Sequence, residues 1–175
     1  MKILLIGNYF PPANTIASHR MYAFAKFLQE EGFEIVVLTP KRQGNLDLDI
    51  SDIKVIHPIE EQNSINTFSK KTSILKSIFR YTGVRAIRYY LQSKFYQSTK
   101  KLVTEIEKQK LDFVLASYPS EDSFRIAYLL YRKLELPYVL DYRDLWIDNS
   151  YYDWTFFDRL IIVRLRVECL SALRL

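Results

Sequence analysis

The sequence predicts an α/β fold built on a doubly wound parallel sheet with the strand order 3-2-1-4-5. Three observations lead to this prediction. Short apolar runs recur without the alternation of a half-exposed strand. Helical periodicity fills the chain between most of these runs, as in βαβ units. Apolar residues make up 49% of the 175 residues, which is enough for one domain with a substantial core.

The first half of the chain predicts one strand-helix-strand unit. Residues 3–6 form a buried strand, and a helix begins near Ala17 and ends at Gly32. The helix is predicted from apolar residues spaced i, i+3, i+4 and i+7, which are Met21, Phe24, Ala25 and Leu28. A second buried strand covers 34–39 and stops at Pro40.

The rest of the chain adds three strands and three helical regions. A polar loop over 41–52 precedes a third strand at 53–57, and helix dominates 73–108 with a break near Gly83. The fourth strand is 113–116. Ser120 is expected to cap the next helix, with Glu121 and Asp122 in its first turn. A fifth strand at 138–142 follows, and 154–175 is predicted to be helical.

This topology brings three loop segments to one crevice. Two βαβ units wound outward from the first strand place a switch point between strands one and four, where ligands bind beyond the carboxyl ends of the strands. The segments that meet there are 8–18, 117–122 and 143–149. The sequence therefore predicts a binding site formed by these segments.

Several common chemistries are excluded at this crevice. Only Gly7 stands where a dinucleotide fingerprint needs three spaced glycines, and Thr39 stands where the ribose-binding acid is expected. The Walker sequence is absent, which excludes a P-loop. No paired Cys or His spacing indicates zinc. We therefore expect neither cofactor nor metal, a structural role for His57, and a ligand-side position for His19 in the first turn of helix one.

The bulk properties favour a cytoplasmic protein. The chain has no secretory leader pattern and no run near the roughly 18 apolar residues that cross a bilayer. Cys169 is the sole cysteine and is interpreted as a packed thiol. The net charge of +5 is concentrated in a basic, aromatic-rich stretch, for which we expect no nucleic-acid partner.

Two distant stretches resemble one enzyme family. Tyr9-Phe10-Pro11-Pro12 follows the first strand, and Ser18-His19-Arg20 opens a helix that leads into the second strand. The second stretch is Ser117-Tyr118-Pro119-Ser120, followed by Leu136 to Trp146 with its Arg-Asp-Leu-Trp ending. In combination these residues resemble the amino-terminal domain of family 4 glycosyltransferases, of the GT-B architecture and glycosyltransferase group 1.

The resemblance implies half of a two-domain transferase. It assigns 1–175 to a Rossmann-like, acceptor-side domain and places a donor-binding domain beyond it. The expected reaction moves a sugar from a nucleotide sugar to a glycan or lipid-linked acceptor in surface polysaccharide synthesis, with retention and without metal. Because the donor pocket lies in the other domain, the isolated chain is expected to be inactive. Family members place glycines after the double proline, where this chain has Asn14, Thr15 and Ile16.

Candidate site residues follow from the crevice and the resemblance. Asp144 is the candidate catalytic residue, and the substrate-binding candidates are Asn14, Thr15, His19, Arg20, Tyr118, Ser120, Glu121, Arg143 and Trp146. Each has a structural alternative. Asn14 and Thr15 are suited to capping helix one. Arg20 is suited to pairing with Asp141 or Asp144.

The structural alternatives for the remaining candidates are further pairs, packing and caps. In these alternatives Arg143 and Asp144 would form a salt bridge, with each other or with Arg20, that fixes their loop. Tyr118 and Trp146 would pack between loops, and Glu121 would support the start of its helix.

A basic, aromatic insertion is predicted between strands three and four, at about 60–110. Two interpretations stay open: a helix that buries its aromatic side, or a surface facing a lipid-linked acceptor at the inner face of the membrane. Two other functions also stay open for the whole chain. One is a non-catalytic α/β module that binds an anionic or membrane-associated partner, and the other is half of a sugar-nucleotide epimerase.

Overall fold

The computed structural model describes residues 1–59, 93–118 and 120–142, together with five helical residues in 159–167. The chain divides into two compact units. The first, Met1–Glu61 with Lys94–Asp144, contains all the elements named below. The second comprises Gln62–Ser93 and Leu145–Leu175, so most of it lies outside the described residues, as does most of the predicted insertion.

The first unit is a five-stranded parallel sheet flanked by helices. Its strands are β1 (Lys2–Ile6), β2 (Glu34–Leu38), β3 (Lys54–Ile56), β4 (Phe113–Ser117) and β5 (Tyr138–Asp141). They lie in the order β3-β2-β1-β4-β5. Every neighbouring pair is parallel. The predicted fold class and strand order, α/β and Rossmann-like, are therefore confirmed.

Four helices belong to this unit. They are α1 (Ile16–Glu30), α2 (Lys94–Lys101), α3 (Val103–Glu107) and α4 (Glu121–Leu134). Helix dominates the described part of 73–108 as predicted, with a break at Leu102 that the sequence did not predict. This residue adopts φ −94° and ψ 5°, and its amide bonds the Thr99 carbonyl three residues back, which tightens the turn and separates α2 from α3.

The central strands are buried on both faces, which explains their unalternating sequence. Leu4, Leu5 and Ile6 of β1 have no exposed surface. On one face, Ile3 and Leu5 pack with Met21 and Ala25 of α1. Because right-handed crossovers reverse direction at β1, α4 covers the opposite face. Phe124 of α4 is fully buried there.

The helix ends follow their local signals. The hydroxyl of Thr15 accepts a hydrogen bond from the Ser18 amide at 3.1 Å, so Thr15 is the N-cap of α1. Gly32 has φ +83°, a left-handed conformation that suits glycine, and it follows the end of α1. Ser120 caps α4 as predicted, since its hydroxyl accepts from the Asp122 amide at 3.3 Å.

Within the described part, α2 favours the first interpretation of the basic insertion. Lys94, Lys100 and Lys101 are exposed, whereas Phe95 is buried. Tyr96 stacks under the Arg125 guanidinium of α4, whose carbon lies 4.0 Å from the ring centroid. This segment is thus a helix with a basic outer side and an inward aromatic side.

Candidate functional site

The candidate site lies where the chain leaves β1 and β4 in opposite directions. The β1–α1 loop crosses toward β2 on one side, and the loop after β4 crosses toward β5 on the other. Their divergence leaves the crevice that the predicted topology requires. The third predicted segment, with Arg143, Asp144 and Trp146, lies outside the described residues.

A charged network joins the two sides of this switch point. Arg20 Nη2 of α1 lies 2.7 Å from Asp141 Oδ1 at the end of β5. Ser117, at the end of β4, donates its hydroxyl hydrogen to Asp141 Oδ2 at 2.8 Å. Of the two predicted partners of Arg20, Asp141 is therefore the one that pairs with it in the described residues. The two residues are 121 positions apart in sequence.

The exposure of this network decides what it can do. The Asp141 side chain is 17% exposed, and both of its oxygens have partners. The Arg20 side chain is 41% exposed, and its guanidinium also lies 4.9 Å above the Phe24 ring. A positive group thus remains open to solvent at the crevice while its position is fixed by a carboxylate. Such a group suits a ligand that carries hydroxyls or negative charge.

At the amino end of α1, Asn14 and Thr15 have different roles. Thr15 uses its hydroxyl as the cap, so the structural alternative holds for it. The capping alternative does not hold for Asn14, because Thr15 is the N-cap and the side-chain amide of Asn14 donates to Asn45 Oδ1 at 3.1 Å across the loop. His19 is exposed one turn into the helix. The amides of Ile16 and Ala17 precede the first intrahelical hydrogen bond.

The loop after β4 is largely structural. Tyr118 is 4% exposed, and its ring centroid lies 6.3 Å from that of Phe124, so the packing alternative describes this residue in the structure. Phe124 in turn contacts Tyr142 at 4.7 Å. Ser120 is 3% exposed and caps α4, and Glu121 is half-buried in the first turn. This loop therefore shapes the crevice by packing rather than by exposed polar groups.

The sequence did not identify Arg42, which packs against the β1–α1 loop. Arg42 Nε donates to the Asn8 carbonyl at 2.8 Å, and Arg42 Nη2 donates to Asn8 Oδ1 at 3.1 Å. Its guanidinium carbon lies 4.4 Å from the centroid of the Tyr9 ring. Position could have indicated Arg42, because it follows β2, and the carboxyl ends of parallel strands share one edge.

The same stretch approaches the loop closely at Gly44. A Cβ atom at this position would lie 2.0 Å from the Pro12 carbonyl oxygen, so only glycine fits the observed backbone. The Leu46 amide donates to the same carbonyl at 3.0 Å. Gly44, with no side chain, thus allows two backbone segments to approach closely near the double proline. The family's glycines follow the double proline in sequence, whereas Gly44 lies in the segment after β2.

Other sequence features take structural places. His57 Nδ1 lies 3.0 Å from the Thr39 carbonyl, and since a carbonyl only accepts, Nδ1 carries the proton, as fits the predicted structural role. A cleft of about 400 Å³ lies at the opposite, amino end of the strands, lined by Lys2, Glu34 and Asp112 among others. It is remote from the predicted crevice.

The described residues contain neither a metal-binding cluster nor a membrane-spanning helix. No three of their His, Cys, Asp and Glu side chains are grouped so that they could hold a metal ion. In the same residues, no helix is both long and apolar enough to cross a bilayer.

Comparison with known proteins adds a distant structural likeness. No protein-family model matches the chain, and no curated protein is significantly similar to it in sequence. A solved structure of the C-terminal domain of a hydrogenase from Pyrococcus furiosus is 19% identical. It superposes with a TM-score of 0.47 over 81% of this chain and 90% of that one. A likeness at this level carries no inference about function.

Proposed function

We propose that this chain is the acceptor-binding domain of a glycosyltransferase that takes a sugar from a nucleotide sugar. The observation that carries the proposal is the Arg20–Asp141–Ser117 network. Its three members lie in the two distant stretches of sequence that resemble family 4 glycosyltransferases, Arg20 in the first and Ser117 with Asp141 in the second. Contact between them at one crevice supports the view that these stretches form one site. The parallel sheet of order 3-2-1-4-5 is also the fold that the resemblance implies.

The chemistry of the crevice fits an acceptor better than a donor phosphate. The Asp141 carboxylate and the Arg20 guanidinium are partly exposed and suit accepting from and donating to sugar hydroxyls, while the buried Ser117 hydroxyl holds the carboxylate in place. In this proposal Asp144 orients the attacking hydroxyl. The groups that stabilise the departing diphosphate belong to a second domain, where most of the barrier reduction for a retaining transfer would arise. The chain needs no metal for the role proposed here.

A lipid-linked acceptor in surface polysaccharide synthesis is the proposed context. The exposed lysines of α2, Lys94, Lys100 and Lys101, give the described part of the basic insertion a positive outer side. Such a surface is attracted to anionic lipid, and the attraction falls with added salt. Sedimentation with vesicles with and without phosphatidylserine at low salt tests this contact, and equal sedimentation in both contradicts it.

The decisive experiment uses the protein encoded by the whole reading frame. It is incubated with a panel of nucleotide sugars, and thermal stabilisation and release of the nucleoside diphosphate are measured. A bound donor at 100 times its Kd adds about 2.7 kcal/mol to the free energy of unfolding. The 175-residue chain alone is the control, and it is expected to release no nucleotide. Turnover by that chain alone, or no response of the whole protein to any donor, would overturn the proposal; the second outcome favours a non-catalytic binding module.

A further inference from the structure

The loop after β1 is held by four residues that follow β2, here called the clasp: Arg42, Gly44, Asn45 and Leu46. Arg42 bonds Asn8, Gly44 and Leu46 meet the Pro12 carbonyl, and Asn45 accepts from Asn14. Three separate hydrogen-bonded points over seven residues fix the path of the loop from β1 to the cap of α1.

Arg42 differs from the other clasp residues because it fixes a side chain as well as the backbone. Its guanidinium makes two hydrogen bonds to Asn8, at 2.8 and 3.1 Å, and it covers one face of the next residue, Tyr9, at 4.4 Å. A planar guanidinium can bond in its plane and stack on an aromatic ring at once, whereas a lysine ammonium cannot do both. The orientation of Tyr9 therefore depends on Arg42.

Tyr9 is placed and exposed as a ligand-contacting aromatic would be. It lies three residues beyond the end of β1, the strand that borders the switch point. Its side chain is half-buried, so part of it remains open to solvent. By contrast, Tyr118, an aromatic residue that the sequence predicted to bind substrate, is only 4% exposed. An aromatic ring with few rotatable bonds binds the apolar face of a sugar ring at low entropic cost.

We propose that Arg42 is a positioning residue that presents the Tyr9 ring to the sugar of the acceptor. This inference rests on the proposed function and names the class of ligand, a glycoside, at the same site. Arg42 acts through Tyr9 and does not itself touch the reacting atoms.

The test measures the loop and the ligand separately in the 175-residue chain. Hydrogen–deuterium exchange of a peptide covering 8–13 reports the loop. Saturation-transfer NMR with octyl glucoside, octyl galactoside and octyl mannoside reports binding. The variants are R42A, R42K and Y9A, and Q43A is the matched control because Gln43 is exposed in the same stretch and is not part of the clasp.

The expected pattern is specific to a positioning role. R42A speeds exchange of the loop about tenfold and weakens glycoside binding about tenfold, the effect of a misplaced contact of 1.4 kcal/mol. R42K does not restore binding, and Q43A matches the original chain. Y9A weakens binding as much as R42A, and adding R42A to Y9A causes no further loss, since the two act as one unit.

Three outcomes would overturn the inference. They are unchanged exchange in R42A, additive losses in the R42A/Y9A double variant, and no binding of any octyl glycoside by the original chain. Failure of the proposed function is a different result, namely no nucleotide release by the protein from the whole reading frame. Binding without transfer would leave the Arg42–Tyr9 role standing and the enzyme assignment refuted.

Discussion

Replacement of Arg125 by Met should destabilise the domain strongly, although the residue lies outside the crevice. The Arg125 and Asp122 side chains are 6% and 8% exposed and meet at 3.1 Å near the start of α4. The substitution takes a charged partner away from the buried Asp122 carboxylate, and breaking a buried pair in this way costs about 3–5 kcal/mol. The loss of the contact with the Tyr96 ring falls within the same range, because contributions in one cluster do not add.

Urea unfolding and thermal unfolding, both followed by circular dichroism, measure this cost. For a chain of this length, each kcal/mol lowers the thermal midpoint by about 2–4 °C, so that midpoint should fall by roughly 6–20 °C. Arg132→Met is the control. That residue is exposed on the same helix, with its guanidinium 6.0 Å from the Tyr128 ring, and should cost less than about 1 kcal/mol.

The double variant R125M/D122L separates pairing from packing. With both charges removed, no buried charge is left unpaired, and stability should return to within about 1 kcal/mol of the original chain. Two results would refute the reasoning: a loss below 1 kcal/mol in R125M, or a double variant as unstable as the single one. Because α4 begins beside the crevice, R125M should also lower the affinity for any ligand that binds there.

Three further changes test the loops. G44A places a Cβ 2.0 Å from the Pro12 carbonyl oxygen, so the loop should shift by about 1 Å and exchange its amides faster; unchanged exchange contradicts this. G32A imposes a left-handed conformation on alanine in open space, at about 1 kcal/mol in urea unfolding; no loss contradicts it. The Ser51 hydroxyl and amide donate to Asp49 and lower the pKa of its carboxyl group. These hydrogen bonds therefore stabilise the fold above the ordinary Asp pKa, and the stabilisation is lost as pH falls through the lowered pKa. S51A should therefore raise this pKa in an NMR titration, and an unmoved pKa refutes the cause.

The sheet could be predicted from the sequence because its strands are short, buried on both faces and closed by clear signals. Residues 3–6 and 35–38 carry unbroken apolar runs, and Pro40 closely follows the second. The observed β2 stops at Leu38, although the Thr39 amide still bonds the Ile56 carbonyl at 3.1 Å. The third strand was predicted two residues too long, since an edge strand that is half-exposed carries a weaker pattern.

For the polar contacts of the crevice, the sequence reduces the number of candidate partners but does not identify the actual one. Arg20 had two acidic candidates, and only the fold decides that Asp141 lies within 2.7 Å. The place of Arg42 after β2 indicates only the edge of the sheet at which it lies. Its partner could not be predicted, because Asn8 is 34 positions away and a hydrogen bond between two loops follows no period. Long-range polar pairs depend on the path of each loop, which hydrophobic periodicity does not encode.

The Arg20–Asp141 pair contributes more to the placement of the elements it joins than to the free energy of unfolding. A pair with side chains 41% and 17% exposed contributes at most about 1 kcal/mol, since water screens it. Yet it joins α1 to β5 across the switch point, and it orders a guanidinium beside the loop that the clasp holds. Arg42 therefore fixes the β1–α1 loop, while Arg20 joins α1 to the end of β5, which Ser117 of β4 also contacts. In the proposed function these contacts matter more for holding the edges of the cleft in place than for stability, since a site that orients a ligand needs fixed groups.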